Sequence, residues 1–293
     1  MTRVLQWLVR RLGRRTFDQR LATGRRIGAF IGEIVRFRRK EVESALAKSF
    51  PGMTRDGVRA LASESYRHFG ANMLESFCAG LVDRGYIEQF VEIPRLAYFF
   101  DTLGKGKGAI ILTAHIGNFD LLCMAATLKG IPLTIISKEL KPRALNDFWM
   151  GARRRYGMKT VPHHQSVRAC LKVLRQREAL GFVFDQNMKR SEGIFVDFFG
   201  RPACTTPGLA FLSAASGAPV IPVFAVRKPD GRHLVIVGDA IEAPPDRGEA
   251  TIAEYTRLYT RLLEDVIREY PAQWFWLHRR WKTQPLPPAA AGA

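Results

Sequence analysis

The chain has 293 residues, 47% of them apolar and 25% charged. That is ample for the core of one large α/β domain or two smaller ones, and it excludes a disordered chain. Lys and Arg number 45 against 27 acidic residues, a net charge of +18, so the partners to expect are anionic: nucleic acid, an acidic membrane surface or an acidic carrier protein. Cys78, Cys123, Cys170 and Cys204 stand far apart, a spacing that indicates neither a zinc site nor a disulfide framework and fits a reducing cytoplasmic setting.

Residues 1–90 read as a helical region without strand patterns. Its first 40 residues carry twelve basic side chains against only Asp18 and Glu33. Val4, Leu5, Leu8 and Leu12 fall at helical spacing beside Trp7, and Ile27, Phe30, Ile31 and Ile34 follow. Arginines break every long apolar run there, so the pattern is that of an amphipathic segment lying at an interface, not of a span or a secretory signal. A helix is expected over 41–49, ending before Pro51, and another over 55–81, with Leu61, Tyr66, Phe69, Met73 and Phe77 along one side.

The run L-G-K-G-K-G at 103–108 looks like a phosphate cradle but precedes a strand, whereas phosphate loops follow one, so it is read as a tight turn. Beyond it, β-rich runs at 109–113, 133–137, 181–184, 220–226 and 234–237 alternate with helical patterns at 119–129, 142–156, 165–177 and 206–216. This alternation predicts an α/β fold with a mostly parallel central sheet flanked by helices, occupying 91–284 behind the helical region 1–90. The uncharged run 204–226 is long enough to span a bilayer, but Pro207, Gly208, Gly217, Pro219 and Pro222 divide it into a short helix, a turn and a strand. Adjacent His163 and His164 diverge on any regular element and are assigned to a surface loop, not to a metal site. A final amphipathic helix is expected over 250–269, and 285–293 should be a disordered tail.

The strand at 109–113 ends in A-H-I-G-N-F-D, residues 114–120. Ligands of open α/β sheets bind where strands end, which places His115 at a candidate site. On one helix His115 and Asp120 would lie about 140° apart. Here the histidine belongs to a strand end and the aspartate to the first turn of the next helix, with Gly117 turning the chain and Asn118 capping the helix. A carboxylate on one imidazole nitrogen fixes the tautomer, leaving the other free to take a proton from a hydroxyl. A core histidine followed by a helix-start aspartate would give the same spacing, so the pair alone leaves both readings open.

Four ordered blocks bear on that choice. T-A-H-I-G-N-F-D at 113–120 resembles the H-(F/Y)-G-N-W-(E/D) box of the bacterial lipid A late acyltransferases, the lauroyl and myristoyl transferases. A-R-R-R-Y-G at 152–157, F-D-Q-N-M-K-R-S-E-G-I-F-V-D-F-F-G-R-P-A-C-T at 184–205 and P-A-Q-W-F-W-L-H-R-R-W-K at 271–282 are similar to three further blocks of that family. The resemblance covers roughly 108–284. It implies a glycerol-3-phosphate acyltransferase-like fold and transfer of a fatty acyl chain from an acyl carrier protein or coenzyme A thioester to a hydroxyl of a lipid A precursor or another membrane lipid. His115 would be the general base and Asp120 its orienter, without cofactor, metal or acyl-enzyme.

On the same resemblance, substrate-binding roles are expected for Asn118, Arg153, Arg155, Asp185, Gln186, Glu192 and Gly193; Asp185 and Gln186, at another strand end facing the site, would otherwise shape the His115 pocket, and Arg153 and Arg155 would otherwise form a solvated basic helix face. Phe195, Phe198 and Phe199 would line an acyl groove or the core, and the aromatic and basic tract 274–282 would meet lipid headgroups or an acidic carrier protein. No nucleic-acid module accompanies that tract, so nucleic acid drops out as a partner. The setting implied is the cytoplasmic face of the inner membrane, with a peripheral attachment to an anionic lipid surface. Asp120 stands where the lipid A enzymes commonly have glutamate. A non-catalytic basic lipid-binding protein is the reading from another class.

Overall fold

The apolar runs after residue 108 become the strands of one twisted sheet in the computed structural model, which describes residues 2–137, 143–162 and 166–286. In chain order the strands are β1 (Val91–Glu92), β2 (Ala109–Thr113), β3 (Leu133–Ser137), β4 (Lys159–Pro162), β5 (Ala179–Val183), β6 (Ile194–Phe198), β7 (Arg201–Thr205), β8 (Val220–Arg227) and β9 (His233–Val237). Seven form a sheet in the order β1-β9-β8-β2-β5-β3-β4, and β6 pairs with β7 apart from it. Every pairing in the large sheet is parallel except β8 with β9, as the alternation of strands and helices requires.

Three pieces were not foreseen: β1, β4 and the hairpin. β4 is an edge strand with an exposed Lys159 and ends at Pro162, which suits an edge and hides it from an apolar pattern. The hairpin turns at Phe199 and Gly200, both at positive φ (56° and 68°), the backbone that a two-residue hairpin turn demands.

The helices are α1 (Thr2–Gly13), α2 (Phe17–Ala29), α3 (Arg39–Ser49), α4 (Arg55–Phe77), α5 (Arg84–Phe90), α6 (Leu96–Gly104), α7 (Phe119–Leu128), α8 (Arg143–Arg155), α9 (Ser166–Arg175), α10 (Gly208–Ser216) and α11 (Glu249–Glu269). Because side chains alternate across a strand, β2 feeds two cores. Ile110 and Leu112 join Phe184, Tyr259 and Trp274 on one face, while Ala109 and Ile111 join Ile135, Val223 and Leu122 on the other.

Long α4 ties the N-terminal helices to the sheet. A Cβ on Gly28 of α2 would sit 1.9 Å from the Tyr66 carbonyl oxygen, and one on Gly70 of α4 would sit 2.3 Å from that of Gly24, so glycine lets the two backbones touch. The far end of α4 then reaches the end of β2, where Asn72 Nδ2 donates to the Gly117 carbonyl at 2.7 Å.

The uncharged run 204–226 divides as expected, into the end of β7, α10, a left-handed Gly217 (φ 70°) and β8. Among the described residues no helix is long and apolar enough to cross a membrane. His163, His164 and residues 287–293 of the tail lie outside the described residues.

Candidate active site

The turn after β2 is fixed on every side. Gly117 has φ +53°, and a Cβ there would lie 1.7 Å from the Ala225 carbonyl oxygen, so only glycine lets the chain pass against β8. Its N–H donates to the Gln273 carbonyl at 3.0 Å, the Asn118 N–H to the Ala225 carbonyl at 3.2 Å, and the Phe275 N–H to the His115 carbonyl at 2.9 Å. Asn118 Oδ1 then accepts from the Leu121 N–H at 3.0 Å and caps α7, as expected of an asparagine at that place.

His115 is oriented by a carboxylate, but not by Asp120. Its Nδ1 lies 2.8 Å from Asp185 Oδ1, and its backbone N–H donates to Asp185 Oδ2 at 3.0 Å. The reason is register: β2 and β5 are parallel neighbours with Thr113 opposite Val183, so the residues two further along each strand, 115 and 185, meet. Asp120, one residue into α7, instead accepts from Arg153 Nη2 of α8 at 3.0 Å. The expected contact of Asp120 with the imidazole is therefore replaced by that of Asp185, which takes the second of its two expected roles and shapes the His115 pocket.

Asp185 is sealed, with a side chain 2% exposed, whereas His115 keeps 23% of its side chain open. Trp274 Nε1 donates to Asp185 Oδ2 at 2.8 Å. Burial alone would raise the Asp185 pKa, but the charge and hydrogen bond of His115 and the Trp274 donor hold it far below the ordinary carboxylate range. Burial alone would lower the His115 pKa; the charge and hydrogen bond of Asp185 carry it above the ordinary histidine value. An anionic Asp185 on Nδ1 leaves Nε2 as the nitrogen for a substrate proton.

His115 opens on a cavity of about 1140 Å³ whose walls include Phe99, Ile111, Leu122, Ala126, Ile135 and Val237. These residues line the face of the sheet covered by α6 and α7. Arg153, Gln186 and Glu192 reach the same cavity; Arg153 also donates to Ser137 Oγ at 3.0 Å, and Glu192 pairs with Lys189 at 2.9 Å.

Three other assignments change. Arg155, two residues and so about 200° around the helix from Arg153, is exposed, lies by Gly80 and does not line the cavity. Gly193 serves close packing, since a Cβ would lie 2.8 Å from Cys204 Sγ. Asn118 borders the cavity, but its amide is spent on Leu121 and on Glu75 Oε2, at 2.8 Å. Phe198 and Phe199 lie in the core, one of the two places expected for them.

The tract 274–282 is not the expected open headgroup surface. Trp274, Trp276 and Arg280 are 2%, 2% and 1% exposed. The Arg280 guanidinium donates to the Cys204 carbonyl at 2.8 Å and to Thr205 Oγ1; only Arg279 and Lys282 are exposed. His278 Nε2 accepts the Asn187 N–H at 2.9 Å. Trp274 was missed as a site residue, and so were Asn72 and Gln273, because their partners come from distant parts of the chain. No signal in the sequence marks them beyond the quoted block that holds Gln273 and Trp274.

The family described as bacterial lipid A biosynthesis acyltransferase matches residues 3–283. The lipid A biosynthesis lauroyltransferase of Escherichia coli is 25% identical over 89% of this chain and 85% of its own length. The phosphatidylinositol mannoside acyltransferase of Mycolicibacterium smegmatis is 23% identical over 83% of this chain and 78% of its own. A solved structure, the 1-acyl-sn-glycerophosphate acyltransferase of Thermotoga maritima, aligns with 88% of this chain and 99% of its own at 12% identity and a TM-score of 0.41.

Proposed function

Because the chain belongs to the family of bacterial lipid A biosynthesis acyltransferases, we propose that it moves a fatty acyl chain from an acyl carrier protein thioester to a hydroxyl of a lipid A precursor. The observation that carries the reading is the His115–Asp185 pair opening on a large, mainly apolar cavity: a base at the mouth of a place for hydrocarbon. His115 Nε2 takes the proton of the acceptor hydroxyl, and Asp185 holds the resulting imidazolium through Nδ1. The alkoxide attacks the thioester carbonyl, and the tetrahedral oxyanion forms beside the positive end of α7. Collapse expels the thiolate, which recovers the proton from His115. No acyl-enzyme, metal or prosthetic group takes part; Cys123, which borders the cavity, is buried with its thiol pushed up to about 12 by burial and then by Asp120, the reverse of a poised nucleophile.

Arg153, anchored by Asp120, is a fixed cation of the cavity wall and suits a phosphate of the acceptor or of the donor's carrier arm. The basic N-terminal region, with Trp7, Phe30, Ile34 and Phe37 exposed among arginines, suits attachment to the anionic cytoplasmic face of the inner membrane. The carrier protein is the preferred donor because its acidity complements the +18 chain. Phosphatidylinositol mannoside acyltransferases among the relatives support a second acceptor class, a mannosylated phospholipid.

Thioester consumption by wild type and His115→Ala, with each acceptor supplied in turn, tests the reaction. Equal rates for the two proteins would refute catalysis by His115. Mass spectrometry of the glycolipids of a deletion strain tests the acceptor: a lipid A species short of one acyl chain is expected, and an unchanged profile refutes that acceptor.

A further inference from the structure

The acyl-transfer reading leaves one buried charged cluster unused. Glu75 of α4 lies behind the His115 turn, away from the cavity, with its side chain 13% exposed and that of Arg227, the last residue of β8, 3%. Arg227 Nη1 donates to Glu75 Oε1 at 2.8 Å and Nη2 to Asn72 Oδ1 at 2.9 Å. His233 Nε2, at the start of β9, lies 3.4 Å from Glu75 Oε2. A buried ion pair adds little net stability over apolar packing, and its best-attested use is to fix one conformation.

Here the conformation in question is that of the turn. Glu75 accepts the Asn118 side-chain amide at 2.8 Å, and Asn72 donates to the Gly117 carbonyl at 2.7 Å, three and two residues beyond the base. Arg227 also exchanges backbone bonds with Gln273, its N–H to Oε1 at 2.7 Å and its carbonyl from Nε2 at 2.8 Å, and the Gln273 carbonyl takes the Gly117 N–H. Three routes out of the ion pair, through Asn118, Asn72 and Gln273, end on Gly117 or Asn118; two others go to His233 and to the Gly231 carbonyl, which accepts from Arg227 Nη1 at 3.0 Å.

We propose that Glu75 and Arg227 are positioning residues for His115: through Asn72, Asn118 and Gln273 they hold the 115–118 turn so that the imidazole meets Asp185. The helical N-terminal region thereby contributes to the reaction without touching the reacting atoms. The kinetic part rests on His115 being the base of acyl transfer; the geometric part does not.

The test uses the full chain with 13C,15N-labelled histidine, following the His115 imidazole by NMR, assigned through His115→Gln. The charged and titratable groups facing His115 are Asp185 after β5, Asp120 on α7, Arg153 on α8 and His278 in the C-terminal segment, and none of them is altered. Asn118→Ser keeps a capping oxygen for Leu121 but drops the bond to Glu75; Glu75→Gln and Asn72→Ala break the cluster at its other ends.

In folded Asn118→Ser and Asn72→Ala the His115 midpoint should fall toward the ordinary histidine value. The turnover number should drop at least about tenfold with KM within about twofold, since a small misplacement of a base is costly. Wild-type midpoint and turnover in both variants would overturn the proposal, and these two decide it if Glu75→Gln does not fold. If wild type consumes no thioester while the midpoint still moves, the acyl-transfer reading fails and the positioning role stands.

Discussion

Asp120 and Asp185 are both buried carboxylates close to His115, and their surroundings separate their work. Asp185 closes on the imidazole and on Trp274, while Asp120 closes on the guanidinium of Arg153 at the cavity wall. The nearer residue in sequence holds a cavity-facing cation, and the one 70 positions away closes on the His115 imidazole. Sequence distance is a poor guide at the end of a parallel sheet, where register brings neighbouring strands' C-terminal loops together.

Substitutions at the three residues should break that division of labour in graded steps. His115→Ala removes the base itself, and the turnover number should fall by about 10²- to 10⁴-fold with the folded state intact by circular dichroism. Asp185→Asn should cost somewhat less and also move the pH profile. Catalysis needs neutral His115, so the acid limb of the rate follows its pKa. Asp185 raises that pKa above the ordinary value of about 6.5, and removing its charge should shift the limb to lower pH while the plateau drops. Asp120→Asn should act on binding: with Arg153 no longer paired, KM for the lipid acceptor should rise by about tenfold, the scale of one charge-assisted hydrogen bond, and the turnover number should change less. A larger loss of turnover in Asp120→Asn than in Asp185→Asn would reverse the two roles.

What the sequence reveals follows the same line between local and distant. β2 and β3 are found at their expected residues because each is a short apolar run bounded by Gly or Pro, and α7, α8 and α11 fall within one or two residues of their expected ends. The His115 turn was equally legible, since Gly117 and Asn118 act on their immediate neighbours. The pairing of 115 with 185 needs the β2–β5 register, which no local pattern encodes. The tract W-F-W-L-H-R-R-W-K misleads for a related reason. Alternating aromatics and cations match an interface in composition, yet Trp276 Nε1 finds the Pro271 carbonyl at 2.7 Å and Arg280 finds the end of β7, so the polar tips are satisfied inside. Arg153 and Arg155 show the limit at the scale of one helix turn: a matching motif covered both, and only one faces the cavity.

Trp274 allows the smallest and most discriminating test of the orienter. Trp274→Phe keeps an aromatic ring in the cluster with Phe198 and Trp276 but removes the donor to Asp185 Oδ2. Deprived of that bond, the carboxylate is less stabilised as an anion and draws more strongly on the imidazole proton, so the His115 pKa should rise further. The acid limb should therefore move to higher pH, opposite to the shift in Asp185→Asn. Well above the limb the rate should stay within about fivefold of wild type, because the base and its orienter remain, while loss of a hydrogen bond to a buried charge lowers stability by about 1.5–3 kcal/mol, visible as a lower melting temperature. If both variants shift the limb in the same direction, Asp185 acts on His115 by packing and not by charge, and the electrostatic half of its role is lost.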